Sequence, residues 1–258
     1  MRRQKSRYIT ALIAAALLAV TGCAGQGDGS PGPDAKGKPS RTAGPARTGG
    51  ATPGGEPTGA PTGAPGGGAS AGDGKLPGMP TAARARTLLA GLKVAPQGSM
   101  TGYSRDRFPH WAEQGDSCNT RETVLARDGK DVKRDAECRA VSGTWVSAYD
   151  GKTFRKASGL DIDHTVPLAN AWRSGASGWT TEKRRAFAND LTHPQLLSVS
   201  AVSNRSKGDQ GPDAWQPPLK SDWCAYGRAW TSVKSTYGLT VTAAEKTMLG
   251  KMLDSCGS

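Results

Sequence analysis

Histidine is scarce in this chain. Three histidines occur among 258 residues, and the five cysteines form no C-x-x-C pair. A cysteine- or histidine-rich zinc centre with closely spaced ligands therefore has few residues to draw on. Long apolar runs are also missing. The one extended run, Ile9 to Val20, is short for a lasting transmembrane anchor. Residues 24–75 contain no Leu, Ile, Val, Met, Cys or aromatic residue at all, and Gly plus Pro make up 25 of these 52 positions. A segment with nothing to bury cannot form a packed core. Acidic residues are outnumbered 22 to 34, so the formal net charge is +12.

These deficits divide the chain into three parts. Residues 1–22 read as a targeting segment, with Arg2, Arg3, Lys5 and Arg7 ahead of the apolar run. Val20-Thr21-Gly22-Cys23 resembles a bacterial lipoprotein box, which implies cleavage before Cys23, acylation of its thiol and tethering at the outer face of the cell membrane. Residues 23–75 are then a lipid-bearing Cys and a disordered stalk, spanning about 40 Å as a flexible coil. Residues 76–258 are the folded part, long enough for one domain with a sizeable core. This part keeps a net charge of +7, which favours a polyanionic partner. Its four cysteines, Cys118, Cys138, Cys224 and Cys256, are an even set in an exported chain and read as two disulfides. Sequence order favours Cys118–Cys138 with Cys224–Cys256, out of three possible connectivities.

Most of the folded part reads as helix. Helices are expected at residues 81–92, 120–126, 168–173, 180–189, 221–237 and 242–253, with a hairpin over 143–156 turning at Asp150-Gly151. Tyr103 to Trp111 interleaves basic and aromatic residues, as a nucleic-acid groove would. It equally suits aromatic core residues with a solvated arginine rim.

The chemistry concentrates in two short stretches. Leu160-Asp161-Ile162-Asp163-His164 alternates apolar and acidic residues, the period of a half-buried strand. Pro167 then forces the chain out of the sheet. Ser203-Asn204-Arg205-Ser206-Lys207-Gly208-Asp209 closes a second apolar run, Leu196 to Val199. Phosphodiester hydrolysis needs these groups. Oxygen ligands suit a hard cation such as magnesium, a neutral imidazole can take a proton from water, and Arg or Lys can hold phosphate.

D-x-D-H-x-x-P-L followed by N-R-S-K-G-D resembles the HNH, or ββα-metal, nucleases, and among them the secreted relatives of the C-terminal domain of GmrSD-type restriction enzymes. The resemblance implies an α+β fold, with a hairpin-plus-helix nuclease core embedded in a mainly helical domain. It implies His164 as general base, and Asp163 and Asn204 as ligands to one Mg2+ or Mn2+. DNA, or RNA, would be the substrate. Superfamily members carry a middle Asn that steadies the loop bearing the base. Here Gln195 and Asn189 both stand in reach of that role, and the sequence leaves it open between them. Arg205, Lys207, Arg105 and Arg121 are the expected substrate contacts. His110 reads as structural or substrate-facing, and His193 as a loop residue. Two other functions use the same residues: a catalytically inactive nucleic-acid-binding lipoprotein, and a metal-dependent cell-wall hydrolase with Asp163 and His164 on zinc. No protein partner can be inferred.

Overall fold

The computed structural model describes residues 76–257. The expected signal segment, Cys23 and stalk lie outside the described residues. The described part is α+β, with seven helices and two small antiparallel sheets.

Helix α1 (Ala82–Gly91) starts at Thr81, whose hydroxyl caps the Arg84 amide. Helix α2 (Thr120–Asp128) is capped by Asn119. The chain then forms β1 (Lys130–Arg134), which the sequence pattern did not reveal, because its residues are nearly all charged and exposed. Strand β1 pairs with β2 (Ala140–Val146), and β2 pairs with β3 (Thr153–Phe154), giving the expected hairpin.

Strands β4 (Leu160–His164) and β5 (Leu196–Ser200) make a separate two-stranded sheet in unbroken register from Leu160↔Ser200 to His164↔Leu196. Between them lie α3 (Leu168–Arg173) and α4 (Thr181–Ala188), the latter capped by Thr180. Helix α5 (Ala201–Lys207) leaves β5 directly, so hairpin and helix form the expected ββα unit around an inserted helical pair. Helices α6 (Trp223–Tyr237) and α7 (Ala243–Asp254) close the domain. A Thr242–Glu245 capping box starts α7.

Period-two alternation gives the β4–β5 sheet two apolar faces and therefore two cores. Leu160, Ile162 and Leu196 pack with Val124, Leu125 and Trp145. Leu197 and Val199 face a larger core that includes Trp172, Phe187, Tyr226 and Trp230. The sheet is thus clamped from both sides, and β5 is buried along its whole length. Trp215 is buried against the rings of Tyr149 and Tyr226.

Both disulfides follow sequence order, Cys118–Cys138 and Cys224–Cys256. The second ties the start of α6 to the second residue after α7. The chain-entropy estimate for a loop of this length is about 3–4 kcal/mol. The Cys224→Ser, Cys256→Ser double variant should lose stability of that order in chemical denaturation. An unchanged unfolding midpoint would show that packing alone holds α6 to α7.

Candidate active site

A cleft of about 250 Å³ runs along β4, lined by Ile162, Asp163 and His164 and by Asn204 and Arg205 of α5. Strand β4 pairs only with β5 among the described residues. Tyr103, Arg105 and Asp209 complete the wall, and Arg173 holds Asp209 through its side chain (2.5 Å) and its carbonyl (2.8 Å).

His164 is buried, and its Nε2 lies 2.9 Å from the Ala188 carbonyl at the end of α4. A carbonyl can only accept, so Nε2 carries the proton and Nδ1 is the bare nitrogen. Nδ1 has no hydrogen-bond partner among the described residues, and His164 is one of the residues that line the cleft. Burial holds the His164 pKa down at about 3, opposed in part by the Ala188 contact. The imidazole is neutral at physiological pH, as a proton acceptor must be.

The loop after His164 is strapped to the chain before β5. Gln195 accepts from the Val166 amide (3.1 Å) and donates to the Val166 carbonyl (3.0 Å). Thr165 adds bonds from its amide to the Gln195 carbonyl and from its hydroxyl to the Pro194 carbonyl. Asn189 works elsewhere. It accepts from the Ala112 amide and the Thr120 hydroxyl and donates to the Pro109 and Arg185 carbonyls. Gln195 thus braces the loop after His164, while Asn189 braces residues 109–112.

That second segment brings Trp111 beside His164, with ring centroids 5.9 Å apart. Trp111 has φ 59°, a left-handed conformation that costs a bulky residue energy. His110 lies edge-on to Trp111 and within 3.4 Å of Arg105 Nε. Of the basic–aromatic stretch, Phe108 is core, and Tyr103 and Arg105 line the cleft.

Asp161 and Asp163 both face α5, where the spacing of Asn204 and Lys207 gives each a partner. Asp163 is buried and fully engaged. Lys207 Nζ lies 2.9 and 2.7 Å from its two oxygens and 2.9 Å from the His164 carbonyl, and the Tyr149 hydroxyl donates to it at 2.5 Å. Burial pushes the Asp163 pKa up and that of Lys207 down, and the ion pair offsets both. Asp161, by contrast, accepts from Asn204 Nδ2 at 3.1 Å, with Arg205 Nε at 3.6 Å.

Two expected substrate contacts are corrected by these positions. Lys207 is fully buried, so its ammonium cannot meet a phosphate. Arg121 pairs with the buried Glu122, away from the cleft-lining residues. Arg205, with its side chain 76 % exposed, and Arg105 are the cations at the cleft. His193 is held by Asp190 at 2.7 Å, outside the cleft. Sequence reading missed Tyr149 and the Ala188 carbonyl, and neither carries a local signal. The i, i+3 spacing of Asn204 and Lys207 did hold a clue, since it sets both on one helix face.

Among the described residues no group of three or more His, Cys, Asp or Glu side chains is placed to hold a metal ion. The oxygen donors present suit a hard cation that keeps most of its water. Asn204 and Asp161 are adjacent and partly open, whereas Asp163 is saturated.

Comparison with known proteins matches this site to the nuclease class. The family model for the C-terminal domain of GmrSD restriction endonucleases matches residues 121–252, and the chain belongs to that family. It is also 57% identical over 180 residues to an "Uncharacterized secreted protein" of Arthroderma benhamiae, covering 70% of this chain and 88% of the relative. No solved structure matches it.

The His164 pKa has a consequence for stability. Its folded value, about 3, lies below the unfolded value of about 6.5. As pH falls, the unfolded chain takes up the proton first. The contribution is therefore intact above about pH 6.5 and is lost as pH falls toward 3, by at most about 1.4 kcal/mol per unit. Denaturation of wild type and His164→Gln across pH 7 to 4 should show a shallower decline in the variant. Parallel curves would mean that His164 is not held neutral by the fold.

Proposed function

We propose that this protein is an exported, membrane-tethered endonuclease that hydrolyses phosphodiester bonds of DNA, or RNA, with one divalent cation. The observation that carries this reading is a neutral imidazole with a bare Nδ1, lining a cleft shared with Asn204 and Arg205, within a domain of the GmrSD C-terminal family.

Each residue has a task. His164 accepts the proton of the attacking water at Nδ1, while the Ala188 carbonyl fixes the tautomer at Nε2. Gln195 keeps the base-bearing loop in place. Arg205 and Arg105 bind phosphate, and Trp111 limits water around the base. Asn204 and a carboxylate of β4 would hold Mg2+ or Mn2+, which supplies charge stabilisation at the phosphate oxygens. Lys207 orients β4 without meeting substrate. The positive domain favours nucleic acid over neutral cell-wall glycan.

The export half of the proposal rests on the basic and apolar start and on the Val20-Thr21-Gly22-Cys23 box. The printed name of the Arthroderma relative, a secreted protein, agrees with an extracellular site of action. Cys23→Ser should release the protein from the membrane fraction or stop its processing. Undiminished membrane association would remove the lipid anchor from the proposal.

For the chemistry, His164→Ala should cut plasmid cleavage about 10²–10⁴-fold and leave DNA binding near wild type. Arg205→Ala should weaken binding and flatten its dependence on salt. Chelator should stop the wild type. Cleavage by folded His164→Ala at the parental rate excludes His164 as the base, and binding without any cleavage points instead to a nucleic-acid-binding lipoprotein.

A further inference from the structure

We propose that the outer face of the β1–β2–β3 sheet is a second nucleic-acid contact, which holds the backbone of a polymer whose reacting diester lies in the cleft. This rests on the nuclease reading above and extends it, because the substrate must then be long enough to reach both places.

Strand register builds the face. Trp145 of β2 is buried, so its neighbours Thr144 and Val146, with Ser142 in the same period, point the other way. Lys130 of β1 stands opposite Thr144. Strands β2 and β3 pair Val146 with Thr153 and Trp145 with Phe154. The same register carried one residue further sets Arg155 opposite Thr144, and Arg155 Nη1 donates to the Thr144 hydroxyl at 2.7 Å. Directly opposed residues share a face. Lys130, Thr144 and Arg155 thus form one row across three strands, about 10 Å from end to end.

A bulge adds the third cation. Regular alternation would send Lys130 and Lys133 to opposite faces, because the step between them is odd. The register shifts between these two residues, and Lys133 stands opposite Ser142, on the face of Thr144. Asp131, inside the shift, has φ 54°, a conformation that costs a residue other than glycine energy. That local strain accompanies the placing of Lys133 beside Lys130.

The chemistry of the face selects its partner. Lys130, Lys133 and Arg155 are exposed, and none has an ion-pair partner among the described residues. The Ser142 and Thr144 hydroxyls lie between them. Cations mixed with hydroxyls are the groups that hold phosphate oxygens without reading bases. Position agrees. Arg155 precedes the cleft residue Asp163 by eight positions, so at most about 29 Å of chain separates them. One turn of duplex is about 34 Å, and a duplex held at the cleft therefore has the length to reach the face.

The test compares a polymer with a small diester, using the full chain. Binding of a 30-base-pair duplex in chelator should weaken about tenfold or more in the Lys130→Ala, Lys133→Ala, Arg155→Ala variant, and the slope of log affinity against log salt should flatten by about two to three. Hydrolysis of bis(p-nitrophenyl) phosphate with Mn2+, which needs the cleft alone, should stay within about twofold of wild type. The Lys130→Gln, Lys133→Gln pair keeps the Arg155–Thr144 bond and should flatten the slope by about two, so the proposal stays testable if the triple variant misfolds. An unchanged slope and affinity would overturn the proposal. So would equal loss of diester hydrolysis, which would mean that the face supports the cleft, or loss of binding to phosphatidylglycerol vesicles with duplex affinity kept, which would make the partner an anionic membrane. Wild type that binds duplex through this face yet cleaves neither DNA nor the diester would leave the contact standing and remove the nuclease reading.

Discussion

The contact between Lys207 and Asp163 does more structural work than any other polar contact near the cleft. It joins the last turn of α5 to the end of β4, and the same ammonium reaches the His164 carbonyl. Tyr149, from the segment after β2, closes the group from a third direction. Neither ion is exposed. Such a pair is costly to assemble in a low-dielectric interior, and removing one partner leaves the other charge uncompensated. The arrangement therefore tolerates little change in the angle between strand and helix. That rigidity fixes the place where the base leaves the sheet.

A second set of constraints comes from the 31 residues that separate His164 from Leu196. This insertion supplies the Ala188 carbonyl to His164 Nε2 and Gln195 to the loop after His164. Asn189, one residue beyond Ala188, holds the segment that carries Trp111 against the imidazole. One helix end thus sets the tautomer of His164 and the position of its aromatic cover. The environment that keeps His164 neutral is the product of this packing. It is burial, more than any neighbouring charge, that lowers its pKa.

Division of labour between the two aspartates follows from the same geometry. Strand periodicity sends both to the α5 face, and helix periodicity offers one partner to each. The amide meets Asp161 and the ammonium meets Asp163. One becomes part of the interior and the other stays partly exposed.

Much of this was legible in the residues. Period-two alternation marked β4 to within its observed ends, the Thr and Asn caps marked α1, α2 and α4, and an even cysteine count in chain order gave both disulfides. The D-x-D-H and N-R-S-K motifs identified the family and put His164 and Asn204 in one cleft. Strand β1 was hidden because its charged residues carry no burial pattern. The functions of Tyr149, Gln195, Asn189 and Lys207 were beyond local reading for a different reason. Sequence determines which groups a chain owns and which face of an element they occupy, since those depend on backbone periodicity. Whether a lysine meets solvent phosphate or a buried carboxylate depends on what packs over it, and residues distant in the chain decide that only when the cores on both sides of the sheet close.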